Sequence, residues 1–225
     1  MPASPHPDAA RPTARFHEPR RADCPWCGSP RLRRARAYVT ARRHRAAARA
    51  LLPFPEPESW LDVGTGYGLF PEAAQEIHPY TAFDGLDPTP RVETAHAAGR
   101  IEEAYLGHLT DPAILTRLRA RYDVVSMLHH LEHTRRPRAE LRAALTVLRP
   151  GGHLLLEVTD PARVFAALPA TWWTPCDRPH PRRPMPLPDL RAELAALGCV
   201  IVTTHRRANA YRIIARRHHR EDARP

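Results

Sequence analysis

Asp62-Val63-Gly64-Thr65-Gly66-Tyr67-Gly68 is the stretch on which the reading of the whole chain turns. Three of the ten glycines fall within five residues of it, in a chain that also carries 26 prolines. The run Trp60-Leu61-Asp62-Val63 reads as a short buried strand, and residues 69–77 read as a helix. Glycines between a strand and a helix let the backbone turn sharply and approach a ligand, with amide N–H groups facing it. In open parallel sheets ligands sit just past the carboxyl ends of the strands, where this loop falls. Gly85-Leu86-Asp87 then closes the next strand with a carboxylate suited to ribose hydroxyls.

Outward from this loop, apolar runs and helical patterns alternate. Strands are expected at 60–63, 80–86, 101–106, 122–128 and 153–158, and helices at 69–77, 91–98, 112–121, 138–148 and 190–197. Residues 38–52 are mostly Ala and Arg and predict a helix stopped at Pro53. Residues 199–204 and 211–215 read as two strands joined tightly. The alternation predicts an α/β fold with a mostly parallel sheet, helices on both faces and a C-terminal antiparallel hairpin. The expected organisation is a disordered tail at 1–21, a C-x-x-C knuckle and helix at 22–55, the α/β domain at 56–216 and a basic tail at 217–225.

Composition narrows the function classes. The 225 residues give room for one such domain, and 43% hydrophobic with 26% charged residues is ordinary for a globular protein. No apolar stretch is long enough to span a bilayer, and the first residues lack signal-peptide regions. Four cysteines suit a reducing compartment, so the cytoplasm is expected. All 34 basic residues are Arg, giving +10. They are scattered, which fits biased codon usage better than a nucleic-acid clamp.

A dinucleotide fingerprint would read G-x-G-x-x-G, but position 69 is Leu. Asp62 would repel a pyrophosphate and suits a ligand with a cationic end. Here the chain resembles the class I S-adenosylmethionine-dependent methyltransferases, whose first motif is D/E-x-G-x-G-x-G. Residues 122–133, YDVVSMLHHLEH, resemble the fourth-strand motif of the small-molecule branch. Residues 148–157, LRPGGHLLLE, resemble the segment leading into its fifth strand. The resemblance implies a Rossmann-like seven-stranded sheet and S-adenosyl-L-methionine as cofactor. It places Asp62, Gly64, Thr65, Gly66 and Tyr67 around the methionine part, Asp87 at the ribose, and Leu109 at the adenine. Ser126, Met127 and Leu128 would line the sulfonium side.

The expected reaction is methyl transfer to a small-molecule acceptor, with oxygen leading and carbon or nitrogen open, in specialised metabolism. An oxygen acceptor calls for a base with a pKa near the working pH, and His129 or His130 is expected in that role. Trp172, Trp173 and His180, in a Pro-rich stretch, are candidates for the acceptor wall. Cys24 and Cys27 form half of a zinc ribbon whose second C-x-x-C is missing. His129-His130-Leu131-Glu132-His133 also contains H-x-x-E-H, yet its setting after a strand and before Pro137 denies it the helix a zinc peptidase needs. Some quinone-pathway O-methyltransferases carry E-x-x-E-H here, and His129 stands where the first Glu would be. An RNA methyltransferase would use the basic N-terminal region but lacks an N/D-P-P-Y/F strand end. A cofactor-binding homologue without activity is the remaining alternative. The sequence leaves the oligomeric state open.

Overall fold

The computed structural model describes residues 30–160, 185–207 and 210–218. The chain divides into two units after Thr40, and the account below concerns the unit from Ala41 onward. Its first element is the end of helix α1 (Pro30–Ala48), followed by a 3-10 turn, Arg49–Leu51. The rest runs β1 (Ser59–Val63), α2 (Leu69–Gln75), β2 (Ala82–Asp87), α3 (Arg91–Ala97), β3 (Ala104–Leu106), α4 (Pro112–Leu118) and β4 (Tyr122–Leu128). After a 3-10 turn (Leu131–His133) come α5 (Pro137–Val147), β5 (Leu148–Thr159), α6 (Leu187–Ala196), β6 (Cys199–Arg206) and β7 (Ala210–Arg217).

The seven strands form one sheet in the order β3-β2-β1-β4-β5-β7-β6. All neighbours are parallel except β7, which runs antiparallel to β5 and β6. The Rossmann-like arrangement read from the sequence is therefore present, closing hairpin included. Parallel strands covered on both faces should be apolar along their length, not alternating. Trp60, Leu61 and Val63 of β1 and Val124, Val125 and Met127 of β4 are all buried.

One face packs Leu61, Leu86, Leu109, Val125, Met127 and Leu156 with helix residues such as Leu141 and Leu190. The other packs Trp60, Phe70, Phe83, Leu155 and Ile214 with Ala47, Ala48 and Leu51 from the end of α1 and its following turn. Trp60 centres this second face, stacked on Phe83 at 5.3 Å and edge-on to Phe70 at 5.6 Å. Truncating so large a buried ring costs about 3–5 kcal/mol.

Element edges depart most from expectation at the starts of α1 and β5. Helix α1 begins at Pro30, earlier than residue 38, because proline is well tolerated in a first helical turn. Strand β5 begins at Leu148 although Pro150-Gly151-Gly152 reads as a stop. The β4–β5 register jumps between Tyr122↔Leu148 and Val124↔His153, so these residues form an irregularity inside the ladder.

The topology positions the site. From β1 the sheet grows one way through β2 and β3 and the other way through β4 and β5. Such a reversal leaves a crevice above the carboxyl ends of the two central strands. The glycine loop follows β1, and His129 follows β4.

Candidate active site

The glycine loop is held by its neighbour strand. Gly64 and Thr65 donate their N–H groups to Leu86 O at 2.8 and 3.2 Å, and Gly66 N–H donates to Asp87 Oδ2 at 2.9 Å. Asp87 Oδ1 accepts from Thr89 N–H at 2.9 Å. Asp87 thus closes the turn from β2; Oδ1 also accepts from Thr89 Oγ1–H at 2.5 Å, and Oδ2 keeps a further lone pair for another donor. Gly64 has φ +77°, and a Cβ there would stand 2.5 Å from His130 Nδ1. No other residue type fits that close approach. At Gly66 an added Cβ would meet nothing within 4 Å, so the loop faces open space at this point.

Asp62, 3% exposed, lies at the end of β1 beneath the loop. Trp60 Nε1 donates to Ser126 Oγ at 2.9 Å, and Ser126 Oγ–H in turn donates to Asp62 Oδ1 at 2.6 Å. Burial pushes the Asp62 carboxyl up to about 7, against the hydroxyls of Ser126 and Thr65 and the nearby His130, which favour its charge. Ser126, fully buried, therefore reaches the crevice through Asp62. Met127 and Leu109 are fully covered in the apolar cluster beneath, and Leu128 is half-buried at the strand end. The Tyr67 backbone carbonyl accepts from Arg100 at 3.1 Å, and Arg91 lies 5.4 Å over the Tyr67 ring.

His129 takes a left-handed conformation, φ 55°, which ends β4 and turns its ring back over the sheet. Its N–H donates to Glu157 O at 2.7 Å. Nδ1 lies 3.1 Å from Glu132 Oε1 and Nε2 lies 3.4 Å from Glu157 Oε1. An ionised carboxylate only accepts, so Nδ1 donates to Glu132, and the second carboxylate beside Nε2 favours the charged ring. Burial opposes that charge, but the two carboxylates prevail and hold the pKa up at about 9. The proton-acceptor role expected of His129 is disfavoured here, because the two carboxylates stabilise its protonated form. His130 is mostly buried, with Nε2 at 3.7 Å from Glu140 Oε2, too long for a hydrogen bond.

Sequence reasoning missed the support behind His129. Arg212, from β7, donates Nε–H to Glu157 Oε2 at 2.9 Å and Nη1–H to Ala46 O at 2.5 Å. Burial opposes the Glu157 charge, while His129 and Arg212 hold its pKa down at about 2. Glu157 is visible in the sequence as the last residue of a motif, but Arg212 carries no motif signal at all. His44, from the end of α1, is the second omission; its Nδ1 lies 3.1 Å from Leu69 O. Cys24, Cys27, Trp172, Trp173 and His180 lie outside the described residues. Among the described residues no group of His, Cys, Asp or Glu is placed to hold a metal ion, and no helix is long and apolar enough to cross a membrane.

A glycine loop, a buried acid and a ribose-suited carboxylate at the switch point of a parallel sheet define a nucleoside-binding α/β protein. A match to the family described as "Methyltransferase domain" spans residues 32–204. The chain belongs to this methyltransferase family, whose cofactor is S-adenosyl-L-methionine.

Among curated proteins it is similar to the ubiquinone biosynthesis O-methyltransferase of Aeromonas salmonicida, 33% identical over 102 residues, 44% of this chain and 42% of that one. The chain thus spans less than half the length of the curated relatives it matches. Among solved structures it resembles an O-methyltransferase family protein from Burkholderia thailandensis, with TM-score 0.63 and 20% identity over 84% of this chain and 60% of that one. It also resembles the 1,6-didemethyltoxoflavin-N1-methyltransferase of Burkholderia thailandensis, solved with S-adenosylhomocysteine. That likeness has TM-score 0.56 and 19% identity over 79% of this chain and 78% of the other.

Proposed function

We propose that the chain transfers a methyl group from S-adenosyl-L-methionine to a hydroxyl of a small molecule, with residues 56–216 as the catalytic domain. The observation that carries the cofactor part is Asp62, a buried acid lifted to about 7 whose hydrogen bonds come from hydroxyls. A cationic amine beside it would restore its charge. The open space above Gly66 offers room for a ligand, and Asp87 Oδ2 retains acceptor capacity for a sugar hydroxyl. These residues fit the cofactor.

When bound, the cofactor supplies a methyl group on a sulfonium, whose departure is favourable enough that positioning provides much of the acceleration. Asp62 would hold the amine, and Asp87 the ribose. Oxygen as acceptor is supported by the names of the curated relative and of the first structural neighbour. Trp172, Trp173 and His180 are assigned to the acceptor on sequence grounds alone.

Calorimetry with S-adenosylhomocysteine should give binding that Asp87→Ala weakens and Cys27→Ser does not. Incubation with methyl-tritiated cofactor and either a metabolite extract or total RNA should label a small molecule. Label confined to RNA would overturn the acceptor class, and stabilisation by NADH in place of the sulfur nucleosides would overturn the cofactor.

A further inference from the structure

The amino-acid end of the cofactor carries a cationic amine and an anionic carboxylate on one carbon, and Asp62 answers only the amine. The glycine loop spends its amides elsewhere. The N–H groups of Gly64 and Thr65 go to Leu86 O, that of Gly66 goes to Asp87 Oδ2, and that of Gly68 goes to Thr65 O at 3.0 Å. Amides turned inward in this way are not left to cradle an anion. The carboxylate calls for a side-chain donor.

His130 is placed to be that donor. It follows β4, and its ring rests on the loop: a Cβ added to Gly64 would stand 2.5 Å from Nδ1 and 3.0 Å from Cγ. The ring is close enough to Asp62 to act on its charge. Nδ1 has no hydrogen-bond partner among the described residues. The other ring nitrogen, Nε2, is buried and lies 3.7 Å from Oε2 of Glu140, in the first turn of α5. Glu140 is 6% exposed, and among the described residues neither Nε2 nor this Oε2 has a hydrogen-bond partner. Two buried polar atoms that face each other unpaired are costly until something completes them. A closure of about 1 Å would turn the contact into a charge-assisted hydrogen bond. With Glu140 accepting from Nε2–H, a protonated ring presents Nδ1–H at the loop, beside the acid that takes the amine.

We propose that His130, oriented by Glu140, binds the carboxylate of the cofactor's amino-acid end, so that Asp62 and His130 together recognise a zwitterion. The inference rests on the function proposed above and adds a specificity to it. A nucleoside that keeps the amine but lacks the carboxylate would bring its positive charge beside the His130 cation with nothing to balance it, and is rejected on that account. Glu140 acts only through His130, as a positioning residue.

Calorimetry with three nucleosides tests this: S-adenosylhomocysteine, its decarboxylated analogue, which keeps the amine, and 5′-methylthioadenosine, which carries neither charge. Wild type should bind S-adenosylhomocysteine about 10- to 100-fold more tightly than the decarboxylated analogue. His130→Leu should remove that preference, losing affinity for S-adenosylhomocysteine while binding the decarboxylated analogue at least as well as wild type does. Glu140→Gln should shrink the preference in the same direction and by less. The affinity for 5′-methylthioadenosine should be the same in all three proteins. A preference that survives His130→Leu overturns the proposal, as does a wild type that shows none. Equal losses for all three ligands in both variants make the pair structural and overturn it as well. If His130→Leu does not fold, the Glu140→Gln result decides alone. Failure of S-adenosylhomocysteine and 5′-methylthioadenosine alike to bind wild type would overturn the underlying function instead.

Discussion

Asp62 and Glu157 are buried to the same depth at the same edge of one sheet, 3% and 4% exposed, yet they hold their protons oppositely. Glu157 is folded together with Arg212 and His129, and these cations keep its pKa at about 2. Asp62 is folded among hydroxyls, and burial lifts it to about 7. Depth is shared, so the counter-charge makes the difference. A buried carboxylate that brings its own cation is part of the scaffold, because removing either partner strands the other. A buried carboxylate without one stands ready for a cation from outside. Under the function proposed above, the contrast separates an acid that serves the scaffold from one available to a ligand.

The largest test of that contrast is Glu157→Gln, which leaves Arg212 and His129 facing a neutral amide. Breaking a buried pair costs about 3–5 kcal/mol. At roughly 2–4 °C per kcal/mol for a domain of this size, the melting temperature should drop by about 10 °C. Asp62→Asn should instead hold or raise the ligand-free melting temperature at pH 8, since it removes a charge that burial disfavours. Its effect should appear in calorimetry, as a loss of S-adenosylhomocysteine affinity on the order of 100-fold. Equal melting-temperature losses in the two variants would erase the distinction.

The pH dependence sharpens it further. A folded-state pKa of about 7 for Asp62, above its ordinary 3.8, means that the folded protein holds more protons across that window. Its contribution to ligand-free stability therefore declines as pH rises from about 4 to about 7. Glu157 behaves in the opposite sense: its contribution is complete above 4.5 and is lost as pH falls toward about 2. Binding of a cationic amine needs the Asp62 carboxylate, so affinity should fall about tenfold between pH 8 and pH 6. Asp62→Asn should flatten that profile, and an unchanged slope would assign it to another group.

The smallest change in stability is expected at the loop. Gly66→Ala meets no atom within 4 Å and carries only the strain of φ +54°, about 1–2 kcal/mol. Its methyl would project into the space proposed for the ligand, so affinity should fall while the melting temperature drops by only about 2–8 °C. Gly64→Ala, with its Cβ 2.5 Å from His130 Nδ1, should unfold at a clearly lower temperature.

The strands, their order of appearance and the loop were legible because each is a local pattern. Apolar runs mark β1, β4 and β5, and three glycines in five residues mark the turn. The bulge in β5 was not legible, because Pro150-Gly151-Gly152 has the composition of a turn and only pairing with β4 makes it part of a strand. The place of His129 at the end of β4 was legible, but its ionic surroundings were not. Its charge depends on Glu132, three residues away, and on Glu157, which only the sheet brings near. The pairing of Arg212 with Glu157 was illegible for the same reason, since it joins single residues on elements remote in sequence.

By itself the sequence determined the fold class, the family and the ends of the strands from which a ligand is held, because backbone turns and buried runs are written in neighbouring residues. Tertiary structure alone decided which acid is pushed up by burial and which is held down by cations. Those properties depend on burial and on charges from elements remote in sequence, as with Arg212 and Glu157, 55 residues apart.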